Sequence, residues 1–373
     1  MKEVVNLRGE AASLAAELGP KLCGMSEDDA LKASIAALSE AGLLAWTVPA
    51  AHGGAATELC GAETVSVRAL CAVRDELAYE HGVLDLAFIM QGLGSFPIAL
   101  SGNLDLAAEV LPKVAAGECV AAFAVTEEGA GSSLGEVATT AERDGDSWKL
   151  TGTKTYISNA GVADRYTVLA RTGEDETTLF SVPASEVTVE RFEVMAPHPI
   201  GEVKMAGASV PDSARIGDVG SGLDLALANL GRFRTSVAAA ACGFARRALD
   251  ESIRHLSGRE QFGRKLSKFQ GLRFDIAEMD ARLRAAQLLV EEAASLLDEG
   301  ADATSEVARA KLIATETAGW ICDRAVQHHG GLGVKRGSVV ERLYREERAL
   351  RIYEGTSEVQ KLILAKEIFD KEG

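Results

Sequence analysis

Cations in excess, cysteines at paired spacing and aromatic side chains are all scarce in this chain. Lys and Arg number 39 against 55 Asp and Glu, a net charge of −16. That balance argues against non-specific binding to nucleic acid, which needs clustered cations to displace counterions, though it leaves room for local phosphate sites. Six cysteines (Cys23, Cys60, Cys71, Cys119, Cys242 and Cys322) are scattered with no Cys-x-x-Cys pair. A metal site or disulfide framework is therefore not expected, and reduced thiols in a cytoplasmic compartment fit better. No apolar run is read as reaching the roughly 18 residues needed to cross a bilayer, so no membrane association is expected. The N-terminal stretch Met1-Lys2-Glu3-Val4-Val5-Asn6-Leu7-Arg8 carries acid and base early and reads as an amphipathic helix, not a targeting peptide. With 47% hydrophobic, 25% charged and 5% aromatic residues, the composition is that of a globular protein. At 373 residues it has length for two or three domains and more than one core.

Pattern divides the chain in three. Residues 1–118 are rich in Ala, Leu, Glu and Lys and read as helical, with breaks at Gly19-Pro20, Val48-Pro49 and His52-Gly53-Gly54. Leu84–Met90 is apolar enough for a buried helix that should bend at Gly92, Gly94 and Pro97. From 119 to 222, Val, Thr and Ser become frequent and bulky residues alternate with polar ones. Trp148–Ser158 reads as strands joined at Gly152, and Tyr166–Arg171 and Thr178–Val182 as further strands. From 223 to 373 long helices return. Leu272, Ile276, Met279, Leu283, Ala286 and Val290 form one stripe on a helix of about 30 residues, and a second long helix covers roughly 304–328. Packed antiparallel, such helices make a bundle.

The segment that stands out is Arg351-Ile352-Tyr353-Glu354-Gly355-Thr356-Ser357. Glu354 lies among apolar and small residues before a glycine, with an expected apolar stripe at Val359, Leu362, Ile363 and Ile368. A carboxylate on a bend between packed helices loses hydration, its pKa rises, and it becomes a usable base near neutral pH. Read alone, the segment better fits a solvated glutamate in an ordinary helix-terminating turn.

Ile352-Tyr353-Glu354-Gly355-Thr356-Ser357-Glu358-Val359-Gln360 resembles the catalytic signature of the acyl-CoA dehydrogenase family, in its short- and medium-chain-like flavoprotein branch. Blocks of the same kind recur in family order over nearly the whole chain. The resemblance implies an α+β multidomain fold: an N-terminal helical domain (1–118), a central β-barrel-like domain (119–222) and a C-terminal four-helix bundle (223–373). Phe123-Ala124-Val125-Thr126-Glu127-Glu128-Gly129-Ala130-Gly131-Ser132 resembles the first flavin-contacting strand and loop, with Phe123, Val125, Thr126, Gly131 and Ser132 at the cofactor and Ser132 also facing CoA. Glu128 and Ser133 stand where the family usually has proline and aspartate. Tyr156-Ile157-Ser158 resembles the second flavin stretch, most often Trp-Ile-Thr, keeping a flat π-face and a small hydroxyl. Arg259, Phe262 and Gln270, with Gln327, Gly330 and Gly331 of a Gln-x-x-Gly-Gly block, would meet the dinucleotide, partly across a subunit boundary. Thr356 and Ser357 complete the cofactor set. Arg234 and Gly355 would meet the substrate, and phenylalanine at 233 leaves Glu354 as the base. Adjacent His328 and His329 point about 100° apart on a helix, and no metal is expected.

The implied reaction is FAD-dependent α,β-dehydrogenation of an acyl-CoA to the trans-2-enoyl-CoA in fatty acid metabolism. Glu354 takes the α-proton, flavin accepts the β-hydride, and electrons pass to an electron-transferring flavoprotein. The thioester oxygen would be held by the Glu354 N–H and a ribityl hydroxyl. A homotetramer, a dimer of dimers, is implied. By family position residues 81–94 would line the acyl pocket, and they contain no Lys or Arg to capture a distal carboxylate, which argues against a glutaryl-CoA-type substrate. An acyl-CoA oxidase, a dehydrogenase of carrier-protein-bound thioesters and a flavin-free helical interaction protein are the competing readings.

Overall fold

In the computed structural model, which describes residues 2–370, helices come first, strands occupy the middle and helices return. Helices α1 (Lys2–Leu22), α2 (Glu27–Glu40), α3 (Val67–Glu80), α4 (Gly82–Leu100) and α5 (Leu104–Ala115) precede the strands. These are β1 (Ala121–Ala124), β2 (Thr140–Asp144), β3 (Ser147–Ser158), β4 (Arg165–Arg171), β5 (Thr177–Pro183), β6 (Thr188–Arg191), β7 (Ile200–Pro211) and β8 (Arg215–Ile216). After them come α6 (Gly222–Gly258), a hairpin of β9 (Glu260–Gln261) and β10 (Arg264–Lys265), then α7 (Gln270–Asp298), α8 (Thr304–His329), α9 (Val339–Glu347) and α10 (Ser357–Asp370). The chain forms two compact units. A bundle unit comprises Met1–Ala16, Val67–Gly82 and Arg234–Gly373; a sheet unit comprises Glu17–Ser66 and Val83–Phe233.

In the sheet unit the strands run in the order β6-β7-β3-β2-β4-β5-β8, and β1 pairs with β4 in parallel. Alternation drives this: Trp148 and Leu150 turn inward while Lys149 and Thr151 turn out. Trp148 packs on Phe180 with ring centroids 5.4 Å apart, and its Nε1 donates to Asp212 at 2.7 Å. Where two strands joined at Gly152 were expected, β3 is one strand of 12 residues with a register shift between Leu150 and Thr151. A Cβ on Gly152 would lie 2.4 Å from Thr139 Oγ1, so the glycine serves close approach and not a turn.

Helix α4 corrects two sequence expectations. It is long and apolar enough by composition to cross a membrane, although 83% of that window is buried inside the fold. It also continues through Gly92, Gly94 and Pro97, where a bend was expected. The glycines serve packing: a Cβ on Gly92 would lie 2.5 Å from the Phe233 ring, and one on Gly94 2.8 Å from Ala121 Cβ. Pro97 lacks the N–H that would bond the Leu93 carbonyl, and Asn229 Nδ2 donates there instead at 2.9 Å. Helix α1 likewise runs past the expected break at Gly19-Pro20 to Leu22.

The bundle unit is built on small side chains. Ala238, Ala239, Ala240, Ala241, Ala245 and Ala248 of α6 join Met279, Leu283, Ala286 and Val290 of α7 and an alanine row of α8 in one core. On α7 the stripe holds from Met279 onward, whereas Leu272 and Ile276 are only half-buried. Helix α10 follows its expected orientation only in part, with Val359 and Ile363 half-buried. Leu362 and Ile368 are 69% and 61% exposed, and the buried residues are the polar Ser357 and Gln360. These two side chains reach Glu316 of α8 and the Gly355 carbonyl.

Close approach of α3 and α6 requires Gly243, where a Cβ would lie 2.3 Å from the Asp75 carbonyl oxygen. Alanine is otherwise favoured over glycine inside a helix by about 1 kcal/mol. Gly243→Ala should nevertheless lower the thermal unfolding midpoint, because overpacking against backbone costs about 1–3 kcal/mol. A midpoint equal to or above that of the parent protein would contradict the packing described.

Candidate active site

In the bundle unit, the chain passes from a 3₁₀ turn at Arg348–Arg351 into α10 through Tyr353-Glu354-Gly355. Glu354 has φ 53° and Gly355 φ 95°, so both adopt left-handed backbone. For glutamate that conformation costs of order 1–2 kcal/mol and persists only where neighbours hold it. Three donors do so. Arg234 Nε donates to the Glu354 carbonyl at 2.7 Å, and the Gly355 carbonyl accepts from Lys311 Nζ at 2.7 Å and Gln360 Nε2 at 3.0 Å. Gly355 is required twice over, by its φ and because a Cβ would lie 2.6 Å from Gln360 Nε2.

Glu354 is half-buried, and its charge acts on Arg234 and Lys311. Burial pushes the Arg234 pKa down, opposed by Glu354. Burial likewise takes Lys311 down to about 8, again with Glu354 as the largest opposing influence. Thr356 and Ser357 have structural partners: Thr356 Oγ1 accepts from the Val359 N–H at 3.3 Å, capping α10, and Ser357 Oγ donates to Glu316 at 2.6 Å.

The remaining expected cofactor residues of this unit lie on its surface. Arg259, Phe262, Gln270, Gln327, Gly330 and Gly331 are all exposed. Phe262-Gly263 follows the end of α6 at Gly258. It is the two-residue turn of the β9–β10 hairpin, with φ 52° and 75°, as a type I′ turn demands. Asparagine would suit that turn better than Phe262, whose side chain is 91% exposed. Gly231-Arg232-Phe233-Arg234 lies inside α6, which begins at Gly222. Phe233 belongs to the sheet unit, fully buried and edge-on to Phe96 at 5.6 Å.

In the sheet unit, the structure brings the two expected flavin stretches together. The Thr155 N–H donates to the Thr126 carbonyl at 2.9 Å. Lys154 Nζ pairs with Glu127 at 2.6 Å, and Glu127 also accepts from the N–H groups of Ala138 at 2.6 Å and Thr139 at 3.0 Å. Phe123, Val125 and Ile157 are buried, Thr126 and Ser158 half-buried, and Gly131 and Ser132 exposed. Tyr156 sits at a register shift of β3 with φ 55° and a ring 64% exposed, edge-on to Phe192 at 5.3 Å. Bulges of this kind re-aim a side chain next to active sites. Ser158 Oγ lies 2.8 Å from His198 Nε2. Burial, and to a lesser degree Arg191, pushes that imidazole down to about 4, so it is neutral and can accept or donate.

Glu127, Lys154, His198, Lys311 and Gln360 were not anticipated. Two of them left a signal: Lys154 occupies an inward position of a strand, and Lys311 falls in a buried row with Val307, Ala314 and Ala318.

Domain models of acyl-CoA dehydrogenase match in order: N-terminal at residues 3–118, middle at 122–208, C-terminal at 220–369. The chain belongs to the acyl-CoA dehydrogenase family. It is 35% identical to a 3-(aryl)acrylate reductase of Clostridium sporogenes over 89% of this chain and 88% of that one. It is 37% identical to the caffeyl-CoA reductase–Etf complex subunit CarC of Acetobacterium woodii, over 75% of this chain and 76% of that one. Butyryl-CoA dehydrogenase of Megasphaera elsdenii superposes with a TM-score of 0.89 at 27% identity, covering 97% of this chain and 98% of that one. As a member of this family, the acyl-CoA dehydrogenase described here is an FAD-dependent oxidoreductase acting on CoA thioesters.

Its residues fit that cofactor. Open space surrounds Gly129, Gly131, Gly330 and Gly331, where no atom lies within 4 Å of a built Cβ, so a ligand can reach the main chain. Tyr156 and Phe262 present exposed rings on left-handed backbone, and Arg259 is an exposed guanidinium suited to a pyrophosphate.

The Lys154–Glu127 pair permits a direct test. Removing one partner of a buried pair leaves an uncompensated charge and costs about 3–5 kcal/mol. Lys154→Met should therefore lower the unfolding midpoint more than the double variant Lys154→Met/Glu127→Gln. If the double variant is the less stable of the two, the pair does not compensate charge in this way.

Proposed function

We propose that this acyl-CoA dehydrogenase uses Glu354 as the base that abstracts the α-proton of an acyl-CoA, giving the trans-2-enoyl-CoA. The observation carrying this reading is the Glu354 turn: a half-buried carboxylate on left-handed backbone, fixed by donors to two successive carbonyls. Such fixing serves catalysis, because a base must sit within hydrogen-bond reach of the proton it takes. FAD, when bound, supplies the acceptor for the β-hydride. The Glu354 N–H donates to the thioester oxygen as negative charge builds there, and Arg234 keeps that N–H and the carboxylate aligned through the Glu354 carbonyl. Phe233, buried and unable to accept a proton, leaves that role to Glu354. Tyr156 and Ser158 contact the flavin ring, Ser132 contacts CoA, and Arg259, Gln270 and Gln327 hold the dinucleotide.

The substrate has no distal carboxylate, a reading supported by the absence of Lys and Arg from residues 81–94. An electron-transferring flavoprotein is the redox partner, a reading supported by the relative named as part of an Etf complex. The assembly is a homotetramer, supported by exposed Phe262, Phe274, Leu362, Ile368 and Phe369 on the bundle unit. A second reading runs the same chemistry backwards, reducing an aryl-acryloyl thioester, as two relatives are named reductases.

Glu354→Gln should keep its yellow flavin and lose bleaching by acyl-CoA by a factor of at least about 10³, as for a removed catalytic base. Full bleaching in that variant would remove Glu354 from the role. A panel of saturated and aryl-substituted acyl-CoAs, with the matching enoyl thioesters offered to the reduced enzyme, separates the two directions. Arg259→Ala should emerge from gel filtration with reduced flavin content, and unchanged content would count against its role.

A further inference from the structure

We propose that Lys311 is a positioning residue for this proton abstraction: its ammonium group fixes the Gly355 carbonyl and holds a positive charge against the Glu354 turn. The inference rests on the reading of Glu354 as base and extends it to a residue of α8 outside the catalytic signature.

Lys311 is fully buried on the core face of α8. Methionine or leucine would fill such a position without the cost of burying a cation. The charge has little else to do there, since the hydrogen bond its Nζ makes among the described residues goes to the Gly355 carbonyl at 2.7 Å. That carbonyl follows a glutamate held at φ 53°, a backbone state that relaxes unless its neighbours oppose it. Gln360 shares the contact at 3.0 Å but brings no charge. The ionisable groups facing Lys311 are Glu354 from the turn, Arg234 from α6, Glu316 from α8 itself and Glu358 from α10. Of these, Glu354 raises the lysine's proton affinity most. The attraction is mutual: a protonated Lys311 favours ionised Glu354 and lowers the pH at which the base becomes competent.

The sign of the effect follows. Without the ammonium charge, Glu354 binds its proton more tightly and the acid limb of the rate profile moves to higher pH. A role confined to packing would change stability or rate and leave that limb in place. Gln360→Leu supplies the comparison, because it loosens the same carbonyl while leaving the charge.

The test is anaerobic bleaching of the FAD-loaded full-length enzyme across pH, using the acyl-CoA that reduces the parent enzyme fastest. Lys311→Met should retain flavin, lose about tenfold in bleaching rate at neutral pH, and shift its acid limb upward by about half to one pH unit. Lys311→Arg should return the limb toward the parent position, and Gln360→Leu should slow bleaching with the limb unmoved. If Lys311→Met does not fold, Lys311→Gln, which keeps a donor without the charge, should show the same upward shift. An acid limb at the parent position in the folded Lys311 variant overturns the proposal. Bleaching by Glu354→Gln overturns the underlying base assignment instead, so the two failures are distinguishable.

Discussion

Two consecutive carbonyls, those of Glu354 and Gly355, accept hydrogen bonds from two largely buried cations on different helices, Arg234 of α6 and Lys311 of α8. Much of the bundle unit can be understood as what is needed to make that contact possible. The turn is strained, so it needs rigid supports. The supports are charged, so they need a carboxylate nearby. The carboxylate belongs to the residue that the turn exists to present. Glu354 thus stabilises the cations that position it, which makes the arrangement self-consistent and sensitive to the loss of any one member.

The alanine-rich packing of α6, α7 and α8 serves the same end. Small residues let these helices approach closely, so side chains of moderate length can span from helix to turn. Gly243 against the Asp75 carbonyl shows how little space separates α3 from α6. Helix α10 buries the polar Ser357 and Gln360, which tie it to Glu316 of α8 and to the Gly355 carbonyl of the turn.

The sheet unit uses a parallel device. A buried Lys154–Glu127 pair ties β3 to the loop after β1, and the same glutamate caps the N–H groups of Ala138 and Thr139. Tyr156 and Phe262 share with Glu354 a left-handed backbone that few non-glycine residues adopt. Three of the four such residues among those described are therefore ones that the family resemblance had marked for chemistry. Strain collects where side-chain direction matters more than local stability.

The sequence by itself determined the helix–strand–helix order, the family and the position of the Glu354 turn, because alternation, helical period and short motifs are local properties carried by neighbouring residues. It misjudged Gly92, Gly94 and Pro97, which looked like a bend. Their fitness for an unbroken helix depends on Phe233, Ala121 and Asn229, all outside that helix. It also placed Leu362 and Ile368 on the buried face of α10, because the period shows that a helix has an apolar side but not how much of it its neighbours claim. Lys154 and Lys311 were hidden for the same reason. A lysine in a strand or helix reads as solvated until packing shows it enclosed, and only the tertiary structure supplies the carboxylate or carbonyl that justifies its burial.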